Sequence, residues 1–351
     1  MQKLINKGNI KVISAFDVEE KKLIDFYGKV FEPRMKYLPE CWKWLSRSDF
    51  YQNRIPLVIE NGGQVIAHNS MIPFFISLEG ELHTAAWFID FKILDEYRQQ
   101  GLGNILIEES VKLPDCCLAF CNEKSIGVVK KIGWIEGFNA FQHFNFIYPF
   151  NHPMFERKLP GLVRKILNIT TYSFFFVFYT INSYSKNLYK LEKLTNENFA
   201  EFYKNFKNKS ENIECFTTPV RDTEFVEWRI LNSPNRDKYF LYECENFSAI
   251  VLINNNHGSY IDILWVSDNS NKLEIRKMVA TLGLYGLKNK IAYIRFYTSN
   301  REVSDYLKKK NLSKIRHLRF AYFAKDKQIF EKMKKTAFNF ELLDGDFEYI
   351  R

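Results

Sequence analysis

The chain holds 351 residues, 46% of them hydrophobic and 26% charged, with 15 Gly and 10 Pro. That balance excludes a wholly disordered, collagen-like or low-complexity chain, and at roughly 100–200 residues per domain it implies about two domains. The net charge of +9 is uneven: residues 1–150 carry 17 basic and 18 acidic side chains, a net of −1, and residues 151–351 carry 33 and 23, a net of +10. A basic second half fits a phosphate-bearing partner, and it equally fits a lysine-rich solubilising surface. Aromatics make up 17%, which promises flat-walled pockets or a large packed interface. Six cysteines without a C-x-x-C spacing argue against a zinc site and for a reducing compartment. The most lipid-like run, residues 172–181, is too short for a span of roughly 20 residues. No secretory apolar core follows Met1. A soluble, cytoplasmic protein without a membrane span or a metal is expected.

Taken in chain order, residues 10–16 alternate weakly as a strand, and 19–31 carry Leu23, Ile24, Tyr27, Val30 and Phe31 at helical spacing. Residues 55–60, then Asn61-Gly62-Gly63, then Gln64 onward predict a β-hairpin, because these turn residues accept positive φ. Residues 84–94 form a nearly unbroken apolar run, as in a strand buried on both faces. A Gly-containing loop over 95–103, a helix over 104–113, a strand over 116–121 and a helix over 125–132 follow. The segment 151–190 is Pro-flanked, aromatic and basic, and predicts a connecting helix or two. From residue 191 the order partly repeats, with strands at 239–243, 249–253, 260–266 and 292–297 and helices at 273–287 and 303–310. Trp42-Lys43-Trp44-Leu45-Ser46-Arg47 is echoed by Trp228-Arg229-Ile230-Leu231-Asn232-Ser233. This order predicts a divergent internal duplication.

The loop Ile93-Leu94-Asp95-Glu96-Tyr97-Arg98-Gln99-Gln100-Gly101-Leu102-Gly103-Asn104 carries the chemistry. Glycines at 101 and 103 permit a tight turn whose successive amides, with those opening the next helix, form a concave donor array for an anion. Arg98 adds positive charge, so the loop suits a diphosphate. A Rossmann turn is excluded because Leu106 stands where a third glycine belongs, and a P-loop because no Gly-Lys-Ser/Thr occurs. The alternative is an ordinary strand-to-helix turn with incidental glycines.

Tyr97-Arg98-x-x-Gly101-Leu102-Gly103, with Ile93 ahead and a helix behind, resembles the acyl-CoA signature of the GNAT superfamily of N-acyltransferases. Asn122, Ser125-Ile126 and Lys130-Lys131-Ile132-Gly133-Trp134 are similar to that superfamily's second motif. The resemblance is specific over residues 84–134 and weak beyond 150. It implies an α/β fold of mixed sheets in two tandem GNAT-like domains: 1–150 binding acyl-CoA, 151–190 as an aromatic, basic helical linker, and 191–351 as a degenerate copy completing the acceptor cleft. It implies a sheet whose fourth and fifth strands splay, with the pantetheine arm of acyl-CoA pairing near Phe91 and Ile93. It further implies that the amides of Gln99, Gly101, Leu102, Gly103 and Asn104 hold the pyrophosphate, with Arg98 and Asn122 contributing. The family's usual tyrosine, four residues before the Gly of the second motif, is here Val129. Tyr97 and Tyr148 are alternative proton donors, or the thiolate leaves unassisted.

Direct attack on a thioester requires a neutral amine, so a base or a water chain must accept its proton. Asp90, His68 and His83 lie on strands next to the expected splay. Asp90 is the sole carboxylate in its apolar run and alternatively a structural carboxylate; His68 and His83 are alternatively satisfied histidines, and His143 is a weaker candidate. After residues 260–266 the second half has Ser267-Asp268-Asn269-Ser270-Asn271-Lys272, without paired glycines or a preceding Arg. It is expected not to bind CoA. The ending Leu342-Leu343-Asp344-Gly345-Asp346-Phe347-Glu348 resembles that of some tandem GNAT proteins and is expected to be a surface turn. Tandem proteins of this kind include enzymes that acylate the amine of a nucleotide-linked (dTDP or UDP) deoxyamino sugar, for which Arg229, Arg236, Arg295 and Arg301 are candidate diphosphate partners. They also include aminoacyl-tRNA-dependent cell-wall transferases. A non-enzymatic CoA-binding module is a third class. The Arg98 loop favours acyl-CoA as donor; no nucleic-acid motif is present, and a homodimer is compatible with the sequence.

Overall fold

Apolar runs and alternating segments build the strands, and the 3.6-period segments between them build the helices that cover their faces. The protein is seen here in a computed structural model that describes residues 10–32, 35, 38–47, 49–52, 54–137, 140–151, 158–183, 188–210, 216–245, 247–255, 259–268, 270–310 and 314–344. The first half contains β1 (Ile10–Ser14), α1 (Glu20–Val30), α2 (Leu38–Leu45), β2 (Leu57–Asn61), β3 (Gln64–Leu78) and β4 (Glu81–Ile93). It continues with α3 (Leu102–Ser110), β5 (Cys116–Cys121), α4 (Glu123–Lys131), β6 (Ile135–Glu136) and β7 (Ala140–Phe146). One long helix, α5 (Gly161–Asn182), connects the halves. Then come β8 (Tyr189–Lys193), α6 (Asn196–Ser210), β9 (Phe216–Pro219), α7 (Thr223–Val226), β10 (Tyr239–Cys244), β11 (Phe247–Asn254) and β12 (Tyr260–Val266). The last elements are α8 (Lys272–Lys288), β13 (Tyr293–Thr298), α9 (Arg301–Lys310), β14 (Lys314–Ala324), α10 (Lys327–Lys335) and β15 (Ala337–Phe338).

The expected hairpin is β2–β3. Gly62 and Gly63 both take positive φ, and Asn61 pairs with Gln64 across them. The 15 strands found among the described residues join one mixed sheet, whose main path runs β1-β2-β3-β4-β5-β14-β7-β13-β12-β11-β10-β8. Three pairs among the described residues are parallel: β4–β5 in the first half, and β12–β13 and the short β9–β15 in the second. The rungs of β4–β5 run from Ala85↔Cys116 to Phe88↔Ala119, and those of β12–β13 from Tyr260↔Tyr293 to Asp262↔Arg295. Beyond those rungs β4 continues to Ile93 and β12 to Val266 without registering further partners in the neighbouring parallel strand.

The two halves exchange strands at the middle of the sheet. β7, from the first half, pairs antiparallel with β13 along its length. β14, from near the chain's end, pairs with β7 over Lys314–Leu318 and with β5 over Arg319–Ala324. A core cluster on one face draws on both halves, from Ile72, Phe74 and Trp87 to Leu252, Trp265 and Leu343. The echoed tryptophan segments meet there. Trp44 Nε1–H donates to the carbonyl of Trp228 at 3.1 Å, and Trp228 Nε1–H donates to that of Trp44 at 2.8 Å. This reciprocal contact sets Trp228 against Trp44 of the first segment. Trp42 instead packs against Phe16 in the first half.

Candidate active site

β4 is interrupted shortly before its end. Ser70 pairs with Ile89 and His68 with Lys92, so Asp90 and Phe91 together face Asn69 in a bulge. Asp90 takes φ +51°, a left-handed conformation that aspartate tolerates better than most residues. The bulge is pinned from behind by His68. Its Nδ1–H donates to the Asp90 carbonyl at 2.9 Å, which leaves Nε2 to accept from the Tyr27 hydroxyl at 3.1 Å. The ring is 1% exposed and is surrounded by Phe26, Tyr27 and Phe31.

The loop after β4 turns twice through left-handed space, at Gln99 (φ +64°) and Gly101 (φ +80°). Gly101 is the N-cap of α3, so the amides that open this helix lie directly after the turn. The two glycines serve different needs. A Cβ on Gly101 would meet nothing within 4 Å, and its requirement is the backbone conformation. A Cβ on Gly103 would lie 3.1 Å from Phe91 Cζ and 3.4 Å from Ile93 Cδ1, so the helix start is pressed against the end of β4. Leu102 is buried within the first-half core, and Asn104 N–H bonds back to the Gly101 carbonyl at 3.1 Å. Arg98 is 46% exposed, paired with Asp95 at 2.7 Å, and its Nε reaches the Ile93 carbonyl at 3.4 Å. Its charge therefore stays at the mouth of the opening between β4 and β5.

Asn122 marks the other lip of that opening. It caps α4: its side-chain oxygen accepts from Ser125 N–H, and its own N–H donates to Ser125 Oγ, both at 2.9 Å. Val129 is 5% exposed in a cluster with Ile126 and Trp134. Neither tyrosine considered as a proton donor joins that cluster. Tyr97 packs in the core beneath α1 and α3, and Tyr148 against the second-half core beneath α5 and α8. Burial pushes the Cys121 thiol at the end of β5 up to about 11.

Of the three proposed bases, Asp90 and His68 lie at the bulge, and His83 does not. His83 sits ten residues back along β4 from Ile93, about 33 Å at roughly 3.3 Å per residue, where its Nε2 is 3.7 Å from Glu81. His143 is buried against α9, with Nε2 3.0 Å from Ser304 Oγ, and burial pulls its pKa down to about 4. Two of the four second-half arginines point into the protein. Arg229 is fully buried, donates from Nε and Nη2 to the Leu343 carbonyl, and lies against Trp44 and Trp228. Arg295 makes a buried two-pronged pair with Asp262 at 2.9 and 2.6 Å. Arg236 bonds to Asn196 and the Leu231 carbonyl, and Arg301 is 84% exposed beside Asp305.

The second opening, beyond the Asp262–Arg295 rung, is built differently. Val266 N–H donates to the Glu341 carboxylate at 3.1 Å, and Asp344 forms a buried two-pronged pair with Arg221 at 3.1 and 2.7 Å. The sequence reading placed 342–348 at a surface turn. The structure corrects this for Leu343 and Asp344, which are 0% and 1% exposed; residues 345–348 lie outside the described residues. The sequence offered no sign of this burial, because the arginine that neutralises Asp344 stands 123 positions earlier. After β12 the helix α8 is capped by Asn271, whose side chain accepts from Glu274 N–H, and no positive-φ glycine occurs among the described residues of that loop.

No protein-family model matches the sequence, and no curated protein matches it. Solved structures do resemble it. A GCN5-related N-acetyltransferase from Kribbella flavida superposes with a TM-score of 0.55 at 13% identity, covering 91% of this chain and 72% of that one. The N-myristoyltransferase of Saccharomyces cerevisiae with bound myristoyl-CoA gives 0.59 at 12% identity, covering 91% and 84%. An acetyltransferase assigned from Pyrococcus horikoshii gives 0.53 at 10%, covering 93% and 92%. At these identities the likeness is one of fold. The chain has the mixed α/β fold of the GCN5-related N-acetyltransferases.

Proposed function

We propose that the protein is an acyl-CoA-dependent N-acyltransferase in which an amine attacks the thioester carbonyl directly. The supporting observation is the turn from Gln99 to Gly103, which places two left-handed residues and the start of α3 beside the opening of the β4–β5 pair. In this reading the amides of Gln99, Gly101, Leu102 and Gly103 hold the pyrophosphate, with Arg98 strengthening the field, while the Asn104 amide is already engaged by the Gly101 carbonyl. The pantetheine arm lies along β4 at Phe91 and Ile93 as an added strand. Residues 1–150 supply this donor site, and 191–351 complete the acceptor cleft across the linker 151–190.

Attack forms the C–N bond and drives the carbonyl electrons onto oxygen, where a main-chain N–H near Ile93 meets the charge. Collapse breaks the C–S bond and releases the CoA thiolate. With Val129 in place of the family's tyrosine, and Tyr97 and Tyr148 packed in other clusters, that thiolate leaves without a tyrosine proton donor at this position. Both ring nitrogens of His68 are engaged in holding the bulge, so His68 is a positioning residue. Asp90, on the bulge itself, or a water beside it takes the amine's proton.

Weak base assistance suits an amine of low basicity, such as that of a deoxyamino sugar whose neighbouring oxygens withdraw electrons. We therefore infer a nucleotide-linked (dTDP or UDP) amino sugar as acceptor. Mass-spectrometric screening of dTDP- and UDP-amino sugars against acetyl- and longer acyl-CoAs tests this. A product heavier by one acyl group supports it. CoA binding without any new sugar product removes the acceptor assignment, and no CoA binding at all removes the donor assignment.

A further inference from the structure

Helix α5 is apolar on two opposite sides. Asn168, Phe175, Phe178 and Tyr179 turn inward at heptad-like spacing. The Tyr179 ring packs so closely on Gly283 of α8 that a Cβ there would lie 2.6 Å away, and its hydroxyl donates to the Phe146 carbonyl at 2.9 Å. Asn182 and Arg276 tie the end of the helix to α8. The helix is thus docked along its length.

Its other side is uncovered among the described residues. Leu162, Ile166, Ile169, Phe176 and Val177 recur at intervals that place them on one stripe, and they are 46–72% exposed. Of twelve large apolar side chains exposed among the described residues, nine belong to α5. Exposed apolar residues are ordinarily scattered singly, whereas a continuous stripe marks a surface with an occupant.

Charge distinguishes the occupants. Between Glu156 and Glu192 the chain carries six Lys and Arg and no Asp or Glu. The same segment of a second copy laid on this stripe would bring the same cations and no carboxylate of its own to meet them, whereas an anionic lipid surface supplies the phosphates. Among the described residues no helix is long and apolar enough to cross a membrane, and docking on α8 would hold α5 flat. We propose that α5 seats the protein on an anionic phospholipid surface, the stripe entering the acyl boundary and Lys158 and Lys165 meeting the headgroups. This proposal is independent of the acyl-transfer reading.

Vesicle flotation of the full chain is the test. At low salt it should float with vesicles of equal parts phosphatidylcholine and phosphatidylglycerol, and roughly tenfold less with phosphatidylcholine alone. Ile166→Glu/Val177→Glu should lower binding to the mixed vesicles by roughly tenfold or more while leaving the melting temperature unchanged. If that variant is unstable, Lys158→Gln/Lys165→Gln should still reduce flotation several-fold. Absence of flotation overturns the proposal, as does equal flotation of folded variants. So does light scattering that shows a dimer converted to a monomer by Ile166→Glu, since the stripe would then be covered by a second copy.

Discussion

Gly101 isolates the backbone requirement of the phosphate turn. At φ +80° and ψ 0° it occupies left-handed space, and an added Cβ would meet no atom within 4 Å. Gly101→Ala therefore tests conformation without steric overlap. Alanine in this region costs about 1–2 kcal/mol, and a stiffer unfolded chain returns about 0.4–1 kcal/mol of apparent loss. The net expectation is destabilisation of about 1 kcal/mol, a fall in melting temperature of about 1 °C for a chain of this size. Gly101→Asn should recover part of it, because asparagine enters left-handed space more readily. In the acyl-CoA reading the same alanine tilts the amides away from the diphosphate, so calorimetric titration with CoA should show weaker binding than wild type, with asparagine intermediate. An alanine variant equal to wild type in both melting temperature and CoA affinity would refute the conformational reasoning. An asparagine variant no better than alanine would do the same.

Gly103→Val should act through space instead, forcing Phe91 and Ile93 aside at an overpacking cost of about 1–3 kcal/mol and raising the KM for acyl-CoA more than it changes kcat. Arg98→Ala should weaken CoA binding about tenfold, measured by titration, since a charged partner for phosphate is lost from a half-exposed position. Asp262→Asn leaves the buried Arg295 charge without its partner and should cost about 3–5 kcal/mol in urea unfolding. His143 has a folded pKa of about 4 against an ordinary 6.5, so the unfolded chain takes up more protons between those values. Stability should therefore fall as pH drops from 6.5 to 4, by at most about 3 kcal/mol, and His143→Gln should flatten that slope in unfolding curves taken across the window.

The turn from Gln99 to Gly103 was legible because its determinants are local. Gly101 and Gly103 stand two residues apart between an apolar run and a helical run, and turn chemistry of that kind survives any tertiary context. Asp90 was legible as an isolated carboxylate in an apolar strand, but not as the left-handed residue of a bulge. That role depends on His68 and Tyr27, which reach it from β3 and α1. The two tryptophan segments were visible, while which tryptophan meets Trp228 was not, since Trp42 and Trp44 share one short helix and only packing decides it. The pairing of β14 with β5 and of β7 with β13 leaves no trace in apolar periodicity. Either strand would satisfy either sheet edge as far as its own pattern goes.

That exchange also gives a physical reason why the two openings differ. β14 holds the full length of β5 on the side away from β4, so the β4–β5 pair can part beyond Phe88 and Ala119 while β5 keeps its hydrogen-bonded neighbour. Past β14 the chain passes through α10 and β15 and delivers Glu341 and Asp344 to the second lobe. There Glu341 takes the Val266 amide, at the strand end where an added thioester arm would pair, and Asp344 occupies Arg221. An anionic carrier approaching that opening would face carboxylates where the first lobe offers amides and Arg98. The same terminal segment thus completes the sheet around one opening and fills the other, so the asymmetry follows from connectivity as much as from the missing glycines.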